Sequence, residues 1–284
     1  MITVVRAGPL TTVQDMGRPG LAHLGVPRSG AADRGSHRRA NALVGNPEEA
    51  ATLETTLLGC ALRAEASLVV AVAGARCEVF VGGVPAPWGA PFRVGPGQTV
   101  DVGPAHAGLR SYVAVRGGID VAPVLASRST DRLSGLGPEP LADGHRLPTG
   151  AAPEAPDHLF GRPEAAPAHA TELELMPGPR HDWLASWAAL TGQEWRVGSG
   201  SDRVGVRLEG SPLARSRDGE IASEGIALGA VQLPPSGHPV LFLADHPTTG
   251  GYPVIGVLTP EAVDAAAQAR PGASVTLVLR GGSA

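Results

Sequence analysis

Short apolar runs, each closed by glycine or proline, fill much of this sequence and restrict it to a few architectures. The chain holds 39 Gly and 27 Pro in 284 residues. The pattern is clearest at residues 68–73, 77–81, 99–102 and 111–116, where turn residues separate the runs. Short strands at this spacing are typical of β-sandwiches and β-barrels. We therefore predict a mostly-β fold.

Few segments show a helical pattern. The first is residues 33–44, with Asp33 as the N-cap and Gly45 as the stop. Residues 181–190 place tryptophan and leucine at helical spacing and predict a second helix. A third starts at residues 259–261, with proline at the first helical position, and stops before residues 271–272. Residues 274–279 predict a final strand.

The length and one change of composition suggest two domains. A chain of 284 residues fits two domains of ordinary size. Between residues 148 and 170 the sequence becomes rich in Pro, Ala and Gly. We predict an N-terminal domain at 1–150 and a C-terminal domain at 171–284, with a linker or long loop at 151–170.

Composition excludes several kinds of chemistry. All 23 basic residues are Arg, so a Schiff-base lysine and a P-loop lysine are impossible. The net charge of -4 gives no basic footprint for nucleic acid. Cys60 and Cys77 cannot supply a four-ligand zinc site, and the nine dispersed His have no metal-ligand spacing. We expect no metal, no nucleic acid, no membrane span and a cytoplasmic location.

The first of three polar, glycine-rich segments covers residues 12–33. It runs directly into the start of the first predicted helix and contains Asp15 and Arg18. A glycine-rich approach to a helix start can bind an anion through backbone N–H groups. The alternative is a long turn in which Asp15 and Asp33 only brace or cap the backbone.

The second segment is residues 201–210. If it is extended, Arg203 and Arg207 lie on one face, where two guanidiniums suit a carboxylate or phosphate. The alternative is a pair of surface salt bridges to Asp202 and Glu209.

The third segment, residues 245–253, follows the apolar run 240–243 and so lies at a strand end. With residues 223–225 and 229–232 it offers hydroxyls, an amide and carboxylates that suit a flat amide. The alternative is a tight turn whose hydroxyls satisfy the backbone.

Taken together, these segments resemble the family of the 5-oxoprolinase C subunit. This is also called the biotin-dependent carboxyltransferase or allophanate hydrolase subunit 2 family, and it includes the antagonist of a sporulation-kinase inhibitor. The resemblance runs from residue 5 to about residue 279. Its motifs are Thr12-Val13-Gln14-Asp15, Gly17-Arg18, Gly25-Val26-Pro27, Ser29-Gly30, Leu53-Glu54, Ser127-Arg128-Ser129-Thr130, Ser201-Asp202-Arg203, Ser223-Glu224-Gly225 and Thr248-Thr249-Gly250-Gly251-Tyr252-Pro253.

The resemblance implies two cyclophilin-like β-barrel domains with a few short helices. It also implies an ATP-dependent enzyme that is active only in a complex with the B subunit, which is kinase-inhibitor-like, and the A subunit. That complex opens 5-oxoproline to glutamate, with ATP and Mg²⁺ bound by this or another subunit. One alternative is a carboxyltransferase that moves a carboxyl group from carboxybiotin on a partner to urea or a related amide. Another is a non-catalytic regulator that binds a kinase inhibitor resembling the B subunit.

The candidate site residues follow from these segments and motifs. Carboxylates that act as general bases or orient arginines are Asp15, Asp33, Glu224 and Asp245. Candidates for substrate binding are Gln14, Arg18, Ser29, Arg128, Ser129, Thr130, Ser201, Arg203, Arg207, Gln232, Thr248, Thr249 and Tyr252. The sequence departs from the family pattern at Asp131, where tyrosine is usual, and at Pro247, where glutamine is usual.

Overall fold

A computed structural model describes residues 1–152 and 171–281 of the chain. The predicted mostly-β fold is confirmed. The described chain divides into two compact units. The first unit contains residues 1–18, 29–131 and 135–152, and the second contains residues 19–28, 132–134 and 171–281. Most of the predicted linker lies outside the described residues, and the domain boundaries stay a prediction.

The first unit is a nine-stranded sheet that curls into a half-barrel. Its strands pair in the order β2-β3-β8-β4-β1-β9, and β5 pairs with β8 and also with β6 and β7. The strands are β1 (Ile2–Arg6), β2 (Thr11–Gln14), β3 (Thr52–Thr56), β4 (Cys60–Ala64), β5 (Leu68–Val81), β6 (Val84–Ala86), β7 (Phe92–Val94), β8 (Thr99–Val115) and β9 (Arg146–Leu147).

Two long strands replace four predicted short ones. Residues 68–73 and 77–81 are parts of β5, and residues 99–102 and 111–115 are parts of β8. The two strands pair antiparallel through three register shifts between Gly74 and Val79. The predicted breaks are wrong because β-bulges absorb the turn-prone residues without ending the pairing.

The interior of the first unit is filled by side chains. Aliphatic residues from β1, β4, β5 and β8 line a cavity of only about 10 Å³. A single water molecule needs about that much space, so this cavity has no room for a substrate. Any substrate site in this unit therefore lies outside this cavity.

The second unit is built around a closed seven-stranded barrel in the order β10-β17-β14-β15-β12-β11-β18. The parallel pairing of β10 with β18 closes it. A separate two-stranded ribbon joins β13 and β16. The strands are β10 (Glu172–Pro177), β11 (Glu194–Val197), β12 (Gly205–Glu209), β13 (Glu224–Gly225), β14 (Ala230–Gln232), β15 (Val240–Phe242), β16 (Thr249–Gly250), β17 (Val254–Leu258) and β18 (Ser274–Leu279).

Two of the three predicted helices are confirmed. Helix α1 (Arg34–Val44) begins after Asp33, whose side chain accepts a hydrogen bond from the Ser36 N–H, and ends at Gly45. Helix α3 (Pro260–Gln268) is capped by Thr259.

The single helix predicted over 181–190 is wrong. The segment holds a 3₁₀ turn (His181–Trp183) and a short helix α2 (Trp187–Thr191). Leu184 is extended and forms a β-bridge with Arg215, and the Ser186 side chain caps α2. Tertiary pairing of Leu184 therefore overrides the helical spacing.

Candidate functional site

In the first unit, the loop after β2 is held against residues 127–130 by a buried carboxylate. Asp15 Oδ1 accepts hydrogen bonds from the Gly17 N–H at 2.8 Å and the Ser127 hydroxyl at 2.7 Å. Its Oδ2 accepts from the Arg128 N–H at 2.6 Å. Asp15 thus braces two backbone segments, the alternative left open by its sequence context, and its catalytic role stays a prediction.

Arg18 binds the same segment from a second direction. Its Nε donates to the Val124 carbonyl at 3.0 Å, and its two terminal nitrogens donate to the hydroxyl and carbonyl of Ser129 at 3.0 and 2.6 Å. Arg18 is 2% exposed. Its guanidinium is therefore engaged inside the unit rather than presented to solvent.

Gln14, Ser29 and Thr130 complete this cluster. The Gln14 amide N–H and the Ser29 hydroxyl donate to the Thr130 carbonyl at 2.9 and 3.2 Å. Gln14 Oε1 and Thr130 Oγ1 are buried and have no hydrogen-bond partner among the described residues. A buried polar atom without a partner is costly, so these two mark where a further polar group would be favourable.

Arg128 differs from Arg18 in its exposure. Its side chain is 34% exposed and pairs with Asp120 at 2.7 Å, and Asp120 is 52% exposed. Its Nε is buried and donates no hydrogen bond to any described residue. The Arg128 side chain is therefore partly accessible, and its buried Nε lacks a hydrogen-bond partner among the described residues.

A second buried polar network, which the sequence reasoning missed, holds the start of α1. Glu54 Oε2 accepts from the Ala32 N–H at 3.0 Å and the Tyr112 hydroxyl at 2.8 Å. The Tyr112 oxygen in turn accepts from the Asp33 N–H at 2.8 Å. Burial raises the pKa of Tyr112 well above its ordinary value, so the hydroxyl stays protonated. The signal available in the sequence was Glu54, the one charged residue of strand β3, within the motif Leu53-Glu54.

In the second unit, Arg203 and Asp245 form a buried, two-pronged ion pair. Arg203 Nε and Nη2 donate to Asp245 at 2.9 and 3.0 Å, and the side chains are 2% and 0% exposed. The Arg132 N–H also donates to Asp245 at 3.4 Å. A fork-to-fork contact of this kind satisfies both partners.

The prediction that Arg203 and Arg207 share one face of an extended segment is wrong. Strand β12 begins only at Gly205, so Arg203 lies in the preceding bend and turns inward. Arg207 is exposed, its N–H donates to the Ser201 hydroxyl at 3.0 Å, and its Nε donates to the Gly200 carbonyl at 3.3 Å.

A surface around Tyr252 gathers the remaining predicted residues. Glu224 forms an ion pair with Arg180, and the Gln232 amide donates to the Tyr252 carbonyl at 3.0 Å. The hydrogen bond from Arg180 lowers the pKa of Glu224, so this carboxylate is ionised near neutral pH and is a weak base. Glu224 thus fits an orienting role better than proton transfer.

Arg215 and Trp183, which the sequence reasoning missed, support this Tyr252 surface. The Arg215 guanidinium lies 5.8 Å from the Trp183 ring centre and 6.0 Å from that of Tyr252. It donates to the carbonyls of Gly219 and Leu233 at 3.0 and 2.6 Å. Such stacking of Arg on aromatic faces fixes side-chain orientation.

The candidates of the second unit form two groups at opposite ends of β15. Gln232 pairs with Val240 at the start of this strand, whereas Asp245 follows its end. Residues 246–253 connect the group at Asp245 with the group at Gln232 and Tyr252. Within it, the Thr248 carbonyl accepts from the Ile226 N–H at 2.9 Å, and Thr249 pairs with Gly225 in the ribbon.

Possible metal ligands and the two cysteines lie in the described part of the chain. Across residues 1–152 and 171–281, no group of three or more His, Cys, Asp or Glu side chains is arranged to hold a metal ion. Burial raises the pKa of Cys60 to about 12 and that of Cys77 to about 11. Both thiols therefore stay protonated and unreactive near neutral pH.

The described residues include no helix long and apolar enough to cross a membrane.

A mostly-β chain of two units, with polar clusters on the loops of each, fits the carboxyltransferase-domain class. The family model for the carboxyltransferase domain, subdomains A and B, matches residues 24–279, and the chain belongs to this family.

Named relatives agree with this assignment. The chain is 38% identical to the 5-oxoprolinase C subunit of Escherichia coli (strain K12), over 91% of this chain and 84% of that protein. It is 31% identical to the protein of the same name from Haemophilus influenzae, over 97% and 90%. Urea amidolyase of Saccharomyces cerevisiae is 30% identical over 98% of this chain but only 16% of its own length.

Solved structures show the same fold. The protein TTHA0988 superposes with a TM-score of 0.88 at 37% identity over 98% of this chain. The Kluyveromyces lactis urea amidolyase superposes with a TM-score of 0.87 at 28% identity, over 98% of this chain and 18% of that protein. The chain spans about half of TTHA0988, 56% of its length.

Proposed function

We propose that this chain is the C subunit of an ATP-dependent 5-oxoprolinase and helps open 5-oxoproline to glutamate together with the A and B subunits. The observation that carries the proposal is its 38% identity to the 5-oxoprolinase C subunit of E. coli over 91% of this chain and 84% of that protein. A match over nearly the full length of both chains supports a shared role in a shared assembly.

The reaction adds water to a lactam carbonyl and breaks its C–N bond. An amide resists this until the charge that develops on its oxygen is stabilised, and one well-placed donor contributes about 3–4 kcal/mol. In the proposal, exposed donors on the loops of this chain bind the substrate. The buried Asp15, Arg18, Arg203 and Asp245 keep those loops in place.

We assign ATP and Mg²⁺ to another subunit of the complex. The chain has no Lys for a P-loop. Residues 1–152 and 171–281 also contain no cluster of three or more carboxylates, histidines or cysteines suited to a metal ion. When bound, ATP would supply the energy that makes the opening of a stable lactam favourable.

A second candidate function is carboxyl transfer from carboxybiotin, carried by a partner, to urea or a related amide. It is favoured by the urea amidolyase of S. cerevisiae, which is 30% identical over 98% of this chain. That relative is much longer, since the match covers only 16% of it. Biotin would have to arrive on another protein because the chain has no Lys to carry it.

Deletion of the coding sequence from the source organism separates the two candidates. The oxoprolinase proposal expects intracellular 5-oxoproline to rise and to return to the wild-type level when the chain is restored from a plasmid. An unchanged 5-oxoproline level, together with lost growth on urea as nitrogen source, would contradict it and favour carboxyl transfer.

A further inference from the structure

The segment from 124 to 130 in the first unit contains a strained, exposed turn. Val124 and Ser127 exchange backbone hydrogen bonds at 2.7 and 3.2 Å around Leu125 and Ala126. Leu125 and Ala126 have φ of +51° and +63°, in the left-handed region that residues with a side chain rarely adopt. Two consecutive non-glycine residues in this region are costly, so the surrounding structure has to enforce the turn.

Asp15 and Arg18 hold the turn in this strained conformation. Arg18 binds the carbonyl of Val124 on one side of the turn and both oxygens of Ser129 on the other. Asp15 binds the Ser127 hydroxyl and the Arg128 N–H, the latter at 2.6 Å. At Gly137 an added Cβ would lie 2.0 Å from the Ser129 carbonyl oxygen and 2.9 Å from Arg18 Nη2, so glycine permits this close packing.

The residue that the turn presents is Arg128. Its N–H is fixed by Asp15, while its side chain remains 34% exposed. Its ion pair with Asp120 involves a carboxylate that is 52% exposed, and pairs of this kind contribute only about 0–1 kcal/mol. A second carboxylate can therefore displace Asp120, or share the guanidinium with it, at little cost.

Arg18 and Arg203 cannot bind a second carboxylate in the same way. Both are 2% exposed, and each donates several hydrogen bonds within its own unit. Arg207 is exposed, but it lies in the second unit on β12 without a comparable clamp.

We propose that Arg128 binds the carboxylate of the lactam substrate, and that Asp15 and Arg18 are positioning residues that hold it through the strained turn. The inference rests on the proposed function, because 5-oxoproline is a lactam that carries a carboxylate. Arg128 then decides specificity: it distinguishes 5-oxoproline from lactams that lack the acid group.

The test uses the complex reconstituted with the A and B subunits. We expect Arg128→Gln to raise the KM for 5-oxoproline by about 10- to 100-fold and to change kcat less than about threefold, as for a lost charge-assisted contact. The KM of Arg128→Lys should lie between those of the wild-type protein and Arg128→Gln, because lysine keeps the positive charge but lacks the planar guanidinium. Arg146→Gln, which removes an exposed arginine paired with Glu65 at 2.8 Å, is the matched control and should behave as wild type.

A lactam without the acid group distinguishes substrate recognition from a structural role. The inhibition constant of 2-pyrrolidinone should change less than about threefold in Arg128→Gln, because the lost contact is to the carboxylate alone. Asp15→Asn should reproduce part of the rise in KM.

Several results would overturn the inference. One is a wild-type KM for 5-oxoproline in Arg128→Gln or in Asp15→Asn. Another is that Arg128→Gln weakens the binding of 5-oxoproline and of 2-pyrrolidinone by the same factor. A wild-type complex with no turnover of 5-oxoproline would instead contradict the proposed function, and the inference would fall with it. Normal wild-type turnover with an insensitive Arg128→Gln contradicts the inference alone.

Discussion

Arg203 and Asp245 are both buried, so the loss of either partner should destabilise the second unit. Removing one member of a buried pair leaves the other as an uncompensated charge. We expect Arg203→Met to lower the free energy of unfolding of the second unit by about 3–5 kcal/mol. Denaturant titration followed by tryptophan fluorescence reports it, since Trp183, Trp187 and Trp195 all lie in that unit.

Arg217→Met is the matched control. Arg217 also pairs with a carboxylate, Asp182, but the two side chains are 56% and 44% exposed. Its loss should cost at most about 1 kcal/mol. Equal losses in the two variants would contradict a structural role for the buried pair.

His37 should make the first unit sensitive to acid. Its ring is buried between the Thr52 hydroxyl and the Glu48 carbonyl, at 2.9 Å from each. Burial lowers its pKa below the ordinary value of 6.5. The unfolded chain then binds the proton more readily than the folded chain, so stability is retained above pH 6.5 and falls as the pH drops below it.

Unfolding midpoints at pH 8, 7, 6 and 5.5 test this expectation, with circular dichroism as the signal. The midpoint of the wild-type protein should fall between pH 7 and 5.5 more steeply than that of His37→Gln. Parallel curves for the two proteins would show that His37 does not carry the effect.

Among the elements, local sequence signals located helices α1 and α3 and several strand positions, but not the strand lengths or the helix predicted over 181–190. Asp33, Gly45 and Pro260 act within one turn of their own helix, so α1 and α3 were predictable. Gly74 looked like a strand end, yet β5 continues through it because pairing with β8 is a property of two distant segments. The contacts of Asp15 could not be predicted from the local sequence either, because its partner Ser127 lies 112 positions away.

Gly74 should therefore be intolerant of a side chain. It has φ of +90°, and an added Cβ would lie 2.5 Å from the Arg110 carbonyl oxygen. We expect Gly74→Ala to lower the free energy of unfolding by about 2–4 kcal/mol, from backbone strain and overpacking together. Chemical denaturation of the purified protein measures this loss.

Gly83→Ala separates the two causes. Gly83 also has positive φ, +82°, but nothing lies within 4 Å of the added Cβ. Gly83→Ala should therefore lower the free energy of unfolding by only about 1 kcal/mol, from backbone strain alone. Equal losses at Gly74 and Gly83 would mean that the close approach of β8 does not matter.

At the scale of the whole molecule, the carboxyltransferase-domain family and the 5-oxoprolinase relatives agree with the motifs quoted from the sequence. Motifs of residue type and order survive between relatives, so they were sufficient for the family. They could not tell which arginines are exposed: Arg18 and Arg203 are buried, whereas Arg128 and Arg207 reach the surface. That distinction depends on packing between segments far apart in the chain.

The proposed function is tested by measuring the release of glutamate and ADP from 5-oxoproline and ATP by the A and B subunits, with this chain titrated into the reaction. We predict that both products are released together and rise to a plateau as the chain becomes stoichiometric with its partners. Release that is complete without the chain, or absent at every concentration of it, would contradict the proposed role of the chain as an essential component of a 5-oxoprolinase.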